Sequence, residues 1–295
     1  MRKTARVHVG EKVFDVINYS LMFVILVVTL YPMWHLLCSS VSDPYLLVAN
    51  RGLTLLPRGF DLSSYSRVFN NQSIGIGYLN TIFVVCIGTC VNLVMSIMAA
   101  YVLTRKGLVA RKFLTRMIVF TMYFSGGTIP TFLVIQELGL YGSRWALILP
   151  TAINTWNMII LRTNFAGFPE ELEDAARIDG AGEMTFLMRI LLPLSKSILS
   201  VMVLFYAVSH WNSWLPACLY LRDRAKYPLQ LVLREILISS DMSTMSSDVD
   251  MMDDYAVAMT IKYATIVVSS APILCIYPFV QKYFVKGVMV GALKG

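Results

Sequence analysis

Read by its apolar positions alone, the chain is a series of long uncharged runs separated by short polar stretches. A helix that crosses a bilayer needs about 20 mostly apolar residues. Six segments meet that length: 14–38, 80–103, 113–136, 145–165, 197–221 and 261–284. The pattern predicts an all-α polytopic membrane protein with six transmembrane helices. The first run is too long for a secretory signal, and no small-residue cleavage site follows it. It is expected to be retained. Composition agrees: of 295 residues, 57% are hydrophobic and only 15% charged, against roughly 45–50% and about 25% in soluble domains. An ordinary cytosolic enzyme, a disordered chain and a disulfide scaffold are thereby excluded. The five cysteines show no framework spacing.

Charge turns this pattern into an orientation. Cytoplasmic loops of membrane proteins carry an excess of Lys and Arg. With the N-terminus inside, 16 of the 25 basic residues fall in the inner segments, the N-terminal tail, 104–116, 162–196 and the C-terminal tail. The acids divide 8 inside and 10 outside. Both termini are therefore expected in the cytoplasm. The net charge of +7 belongs to the inner ends of the spans. No basic stripe with interleaved aromatics points to nucleic acid.

Several spans carry helix breakers. Gly126, Gly127 and Pro130 fall in the third, Pro150 in the fourth, Pro216 in the fifth, and Pro272 and Pro278 in the sixth. A proline frees a carbonyl and kinks a helix, which lipid tolerates only where protein or water re-satisfies the group. Ordinary kinking and the shaping of a pathway both fit the Gly-Gly-x-x-Pro cluster. Polar and aromatic residues gather in mid-membrane: Asn154, Trp156 and Asn157 in the fourth span, Tyr206, His210, Trp211 and Asn212 in the fifth. With Tyr123 of the third, they form the candidate substrate pathway. Aromatic faces beside amides and hydroxyls suit a sugar; interhelical hydrogen bonding and an interfacial aromatic belt are the alternatives. No ionisable chain runs through the spans, which counts against a proton-coupled pump.

The stretch at about 168–193 differs from the rest. Pro169 suits a first helical turn, and Glu170, Glu171 and Glu173 sit at the positive end of the helix dipole. Gly180 suits a left-handed terminus. A second short helix follows, with Phe186 and Ile190 on one face, limited by Pro193. Helix, break and helix make a rigid knob at the membrane surface. The knob is acidic: residues 170–183 hold six of the chain's 18 acids.

This stretch resembles the EAA loop of permease subunits of bacterial ATP-binding-cassette importers. Asp174-Ala175-Ala176, Gly180, Ile190, Leu192 and Pro193 keep the family's spacing, with Asp174 in place of Glu and Glu173 next to it. Leu79-Asn80-Thr81, Ala100-Tyr101, the run 124–130, Trp211-Asn212-Ser213-Trp214 and Tyr227-Pro228-Leu229-Gln230 are similar to the carbohydrate branch. The ending 277–287 is similar to the maltose-type (CUT1) subgroup often called the YtcP or LplC type. The resemblance implies a single permease domain of the type I importer fold over 1–295, and a place in the bacterial plasma (inner) membrane. It also implies partners: a homologous second permease in a heterodimer, two ATPase subunits, an extracytoplasmic sugar-binding protein and an oligosaccharide. Glu170, Glu173, Asp174, Ala175, Ala176, Asp179, Gly180, Ile190 and Pro193 would dock the ATPase. They would not be catalytic.

Missing motifs fit. There is no G-x-x-x-x-G-K-[ST], so ATP and Mg would be bound by the partner ATPase and no cofactor by this chain. His8, His35 and His210 are too scattered for a metal site. No nucleophile stands beside an orienting base. The outer loop at about 222–260 is acidic at its end, with Asp241, Asp248, Asp250, Asp253 and Asp254. A solvated face, a cation site and a contact for the binding protein remain open there. The alternative function is an ion-coupled secondary sugar transporter, which should show internal repeats; none is clear.

Overall fold

The computed structural model describes residues 9–49, 52, 54–105, 107–242 and 252–292. Among these, helices and their connections account for everything, with no strand. The order is α1 (Val9–Ser40), α2 (Pro44–Ala49), α3 (Ser63–Asn70), α4 (Gln72–Thr104), α5 (Arg111–Tyr123), α6 (Thr128–Glu137), α7 (Trp145–Ile148) and α8 (Thr155–Ala166). It continues with α9 (Glu170–Ile178), α10 (Glu183–Phe186), α11 (Leu192–Leu194), α12 (Lys196–Trp211), α13 (Trp214–Tyr220), α14 (Leu229–Met242) and α15 (Met252–Ala292).

Six unbroken spans are not what these residues form. Three helices are long and apolar enough to cross a bilayer, Gly10–Ser40, Gln72–Thr104 and Tyr255–Ile276; two bent pairs raise the number to five. Two of the breakers, the Gly126–Gly127 pair and Pro150, fall where helices end, whereas Pro272 and Pro278 lie inside the continuous α15. Between α5 and α6 the axis turns by 116°, through Gly127 at φ 91°, a conformation without a Cβ penalty only for glycine. The fourth run is α7, a 3₁₀ turn at Leu149–Thr151 holding Pro150, and α8. Asn154 restarts the chain by accepting from the Asn157 N–H at 3.0 Å, as an N-cap residue does. The fifth run breaks after Trp211, where Asn212 and Ser213 separate α12 from α13.

The chain divides into two compact units, Met1–Asn70 with Ile236–Val268, and Asn71–Glu235 with Ser269–Gly295. In the first, Ser64 donates to Thr260 at 2.8 Å inside the α3–α15 contact, and the Trp34 indole N–H donates to the Leu55 carbonyl at 2.8 Å. His35 meets the Tyr263 ring edge-on, 6.0 Å between centroids.

The second unit is organised around α4. Its buried residues include Gly77, Thr81, Val84, Gly88, Asn92, Ser96 and Ala100, which repeat every three or four positions and so share one face. That face is small and polar, while Leu79, Ile82, Val94 and Met98 point outward. This inverts a soluble helix and suits lipid, where close packing and interhelical hydrogen bonds hold helices together. The stripe packs against α8 and α12. Asn92 donates through Nδ2 to the Thr151 carbonyl, in the 3₁₀ turn of the broken fourth run. Its Oδ1 lies 2.6 Å from Nε2 of His210 on α12. Because a carbonyl can only accept, Asn92's orientation is fixed and the His210 proton sits on Nε2. One turn on, Ser96 meets the Tyr206 hydroxyl at 2.6 Å. At one end of α4, Asn80 donates to the Ala225 and Tyr227 carbonyls at 2.9 and 3.0 Å. The Leu229 N–H donates to Thr81 at 2.8 Å.

Gly88 is required by this packing: a Cβ there would stand 2.5 Å from His210 Nε2. Gly88→Ala should lower stability by about 1–3 kcal/mol, the usual cost of overpacking, read as an earlier melting transition in detergent. An unchanged transition would show that the His210 ring has room to move.

Candidate functional site

The knob forms as a two-helix loop. Helix α9 opens after Pro169, which stands at the N-cap (φ −58°, ψ 140°) one position before the turn expected for it. It closes on Gly180 at φ 79°. The Gly180 N–H donates to the Arg177 carbonyl at 3.0 Å and the Ala181 N–H to the Ala176 carbonyl at 2.9 Å. This pair of bonds is the Schellman termination, which places glycine at the left-handed position. The second arm runs through α10, a π-turn at Leu187–Leu191 and α11. Pro193 stands two residues after the π-turn; its missing N–H and its ring oppose regular α-helix there. The path then bends by 84° into α12.

The loop has two faces. Ala176, Phe186, Leu187 and Leu191 are buried in one apolar core with Tyr101, Leu103, Met158, Leu161 and Phe165. Asp174, Ala175, Asp179, Gly180 and Pro193 are exposed. So are Ile178, at 87%, Met184 and Met188. The Ala-Ala pair therefore divides its work: Ala176 seats the helix, and Ala175 faces out. Ile190 is half-buried and Glu170 exposed.

Glu173 does not stand outward beside Asp174. It pairs with Arg105, just past the end of α4, and with Arg177 one turn along α9 at 2.8 Å. Arg177 also reaches Glu183 at 3.0 Å, and Arg105 Nε lies 3.2 Å from Glu183 Oε2. The Tyr101 hydroxyl donates to the Glu183 carboxylate at 2.6 Å and to its carbonyl at 3.0 Å. The Arg105 guanidinium lies 4.0 Å over the Tyr101 ring and 5.3 Å from the Phe186 centroid. The hydrogen bond from Tyr101, then the two guanidinium groups, hold the Glu183 carboxyl below the ordinary carboxylate range. It stays ionised, and keeps these partners, until the pH falls through that lowered value.

The pathway residues separate into two groups. Tyr123, Asn154, Trp156 and Asn212 are exposed. Asn154 and Trp156 border an open cavity of about 390 Å³ with Thr121, Met122, Pro150, Thr151, Ile153 and Thr155. Asn157, Tyr206, His210 and Trp211 are buried. Tyr206 and His210 face α4 within helix contacts, and Trp211 meets the Tyr78 ring edge-on at 6.4 Å. Of the acidic outer loop, Asp248 and Asp250 lie outside the described residues.

Interrupted apolar runs packed on a small, polar helix face, with a two-helix loop tied to that helix's end, are the features that the site presents. Comparison with known proteins names the class. Residues 92–290 match the family described as binding-protein-dependent transport system inner membrane component, and the chain belongs to that family. It is 42% identical to the polygalacturonan/rhamnogalacturonan transport system permease protein YtcP of Bacillus subtilis over 97% of this chain and 99% of that protein. It is 40% identical to protein LplC of the same organism, over 96% of each. A crystal structure of a bacterial ABC transporter involved in import of the acidic polysaccharide alginate contains a chain that superposes with TM-score 0.87 at 31% identity, covering 95% of this chain and all of that one. The fold is that of an ABC importer permease, and the ion-coupled alternative finds no support.

Arg105 escaped the sequence reading, and Tyr101 entered it only through the Ala100-Tyr101 resemblance, without a role in the loop. A signal was present: the basic residue ending an apolar run faces, in sequence, the one acidic stretch of the inner side.

Nothing stands within 4 Å of a Cβ on Gly180, so Gly180→Ala carries only the left-handed backbone penalty, roughly 1–2 kcal/mol. It should speed amide exchange at Ala181 with little change in the global melting transition. A global loss matching that of Gly88→Ala would contradict this account.

Proposed function

We propose that this chain is one permease subunit of an ATP-driven, binding-protein-dependent oligosaccharide importer of the bacterial plasma membrane. The observation that carries the proposal is the loop. Its outer face offers Asp174, Ala175, Ile178, Asp179 and Gly180, while its inner face is built into the core of the translocation unit. A partner pressing on that face moves the core with it.

In this reading the chain crosses the membrane six times, the runs holding α5–α6, α7–α8 and α12–α13 each counting as one interrupted crossing, with both termini in the cytoplasm. The basic bias of the inner segments supports that orientation. A second, homologous permease completes the pathway, two ATPase subunits bind the loops, and an extracytoplasmic binding protein delivers the sugar. ATP and Mg are held by the ATPase subunits. Closure of the ATPase pair drives the loops and turns the pathway outward; hydrolysis resets it. Glu170, Glu173, Ala176, Ile190 and Pro193 shape and seat the loop. Asp174, Ala175, Asp179 and Gly180 meet the ATPase.

Asn154 and Trp156 serve the sugar at the wall of the 390 Å³ cavity, and the exposed Tyr123 and Asn212 serve it elsewhere along the pathway. Aromatic faces take sugar C–H surfaces and amides take hydroxyls. The names of YtcP and of the alginate importer make acidic oligosaccharides the first class to test.

The test is uptake into proteoliposomes holding this chain, its paired permease, the ATPase subunits and the binding protein. Labelled uronate and neutral oligosaccharides are compared with and without ATP. Uptake should require ATP and favour the uronate series. Asp174→Arg should lower binding-protein-stimulated ATP hydrolysis by about tenfold or more, in line with coupling energies of a few kcal/mol. Sugar uptake continuing without ATP would overturn the proposal.

A further inference from the structure

Arg105 touches both arms of the loop from a different helix. Through Glu173 it holds α9, and through Glu183 and Phe186 it holds the second arm. These contacts lie on either side of Gly180, the one left-handed position in the loop. Its own stem is fixed against α4 by stacking on Tyr101, and its side chain is only 18% exposed. Tyr101 adds a second tie from α4 to the same Glu183. Arg177 closes the circuit by joining Glu173 to Glu183 across the break.

We propose that Arg105 is the positioning residue that makes the loop and α4 move as one body. The inference rests on the reading of the loop as the ATPase-docking element, and adds the route by which its movement enters the translocation unit. A loop held only by its apolar underside can slide or open at Gly180 when pressed. A guanidinium that pairs with Glu173 through Nη1, lies 3.2 Å from Glu183 through Nε and stacks on a ring resists both movements by charge and by the contact of its flat face. Lysine keeps the charge but neither the fork nor the stack. Partial shielding of both partners keeps the Arg105–Glu173 pair less screened than an exposed one.

The test uses the complete transporter in nanodiscs, comparing wild type, Arg105→Lys and Arg105→Ala. Spin labels at exposed Met188, on the second arm and outside the docking set, and at exposed Val102 on α4 report the distance between loop and helix by pulsed EPR. In the wild type that distance should stay narrow and unchanged between nucleotide-free and ATP-bound states. In both variants it should broaden or shift on ATP binding, while the ATPase subunits still copurify. Sugar moved per ATP hydrolysed should fall about tenfold for alanine and less for lysine. A narrow, unchanged distance in Arg105→Ala, or full transport stoichiometry in it, would overturn the proposal. So would loss of ATPase copurification in Arg105→Lys, since Arg105 would then serve docking itself. Failure of the docking reading is distinct: the wild-type chain would then copurify no ATPase subunits at all.

Discussion

Asn92 occupies the place where three helical runs must agree. The fourth run cannot be a continuous helix, because Pro150 and the 3₁₀ turn leave carbonyls without intrahelical donors. In hydrocarbon such a group costs several kcal/mol unless protein supplies a partner. Asn92 supplies it to Thr151 and uses its remaining oxygen on His210. Gly88, a turn earlier, clears the space for the imidazole. The interruption that opens the cavity beside Asn154 and Trp156 thus depends on one buried amide on a neighbouring helix. Replacing that amide by an apolar residue would leave at least two polar groups stranded.

The same helix meets the loop by a different physics. Along its buried length α4 uses neutral groups, at short range, with small residues. At its end it uses charge, through Arg105, and an aromatic ring, through Tyr101. The change follows the surroundings. A neutral amide can be satisfied in a dry interior, whereas paired carboxylates and guanidinium groups hold best where water still reaches part of them. The loop's acidic island therefore has two uses. Glu173 and Glu183 are neutralised by Arg105 and Arg177, and Asp174 and Asp179 are left on the outer face.

Helical class, the loop and its internal break were all readable from residue order, because they rest on local rules: length of apolar run, proline at an entry, glycine at an exit. The number of unbroken spans was not. Periodicity cannot tell whether a proline kinks a helix or ends it; that depends on whether a neighbour such as Asn92 can feed the freed carbonyl. The pathway set divided for a similar reason. Tyr206 and Trp156 are both polar aromatics in apolar runs, and only packing shows that the first faces Ser96 and the second an open wall. The i, i+4 series Gly88, Asn92, Ser96 and Ala100 was visible in the second run as a small-polar stripe, and would have identified the inward face.

The length of α4 has a mechanical meaning. Its 33 residues rise about 1.5 Å each, so the helix is about 50 Å long, while the hydrocarbon layer is about 30 Å thick. About 20 Å of rod is left to project into water. Asn80 and Thr81, which carry the Tyr227–Leu229 segment, and Tyr101, which carries the loop, are separated by most of that rod. An unbroken helix is stiff, so a small tilt imposed at one end displaces the other at once, without any intermediate refolding. The runs packed against it, α7–α8 and α12–α13, are interrupted where α4 is continuous, so α4 is the stiff member of that group.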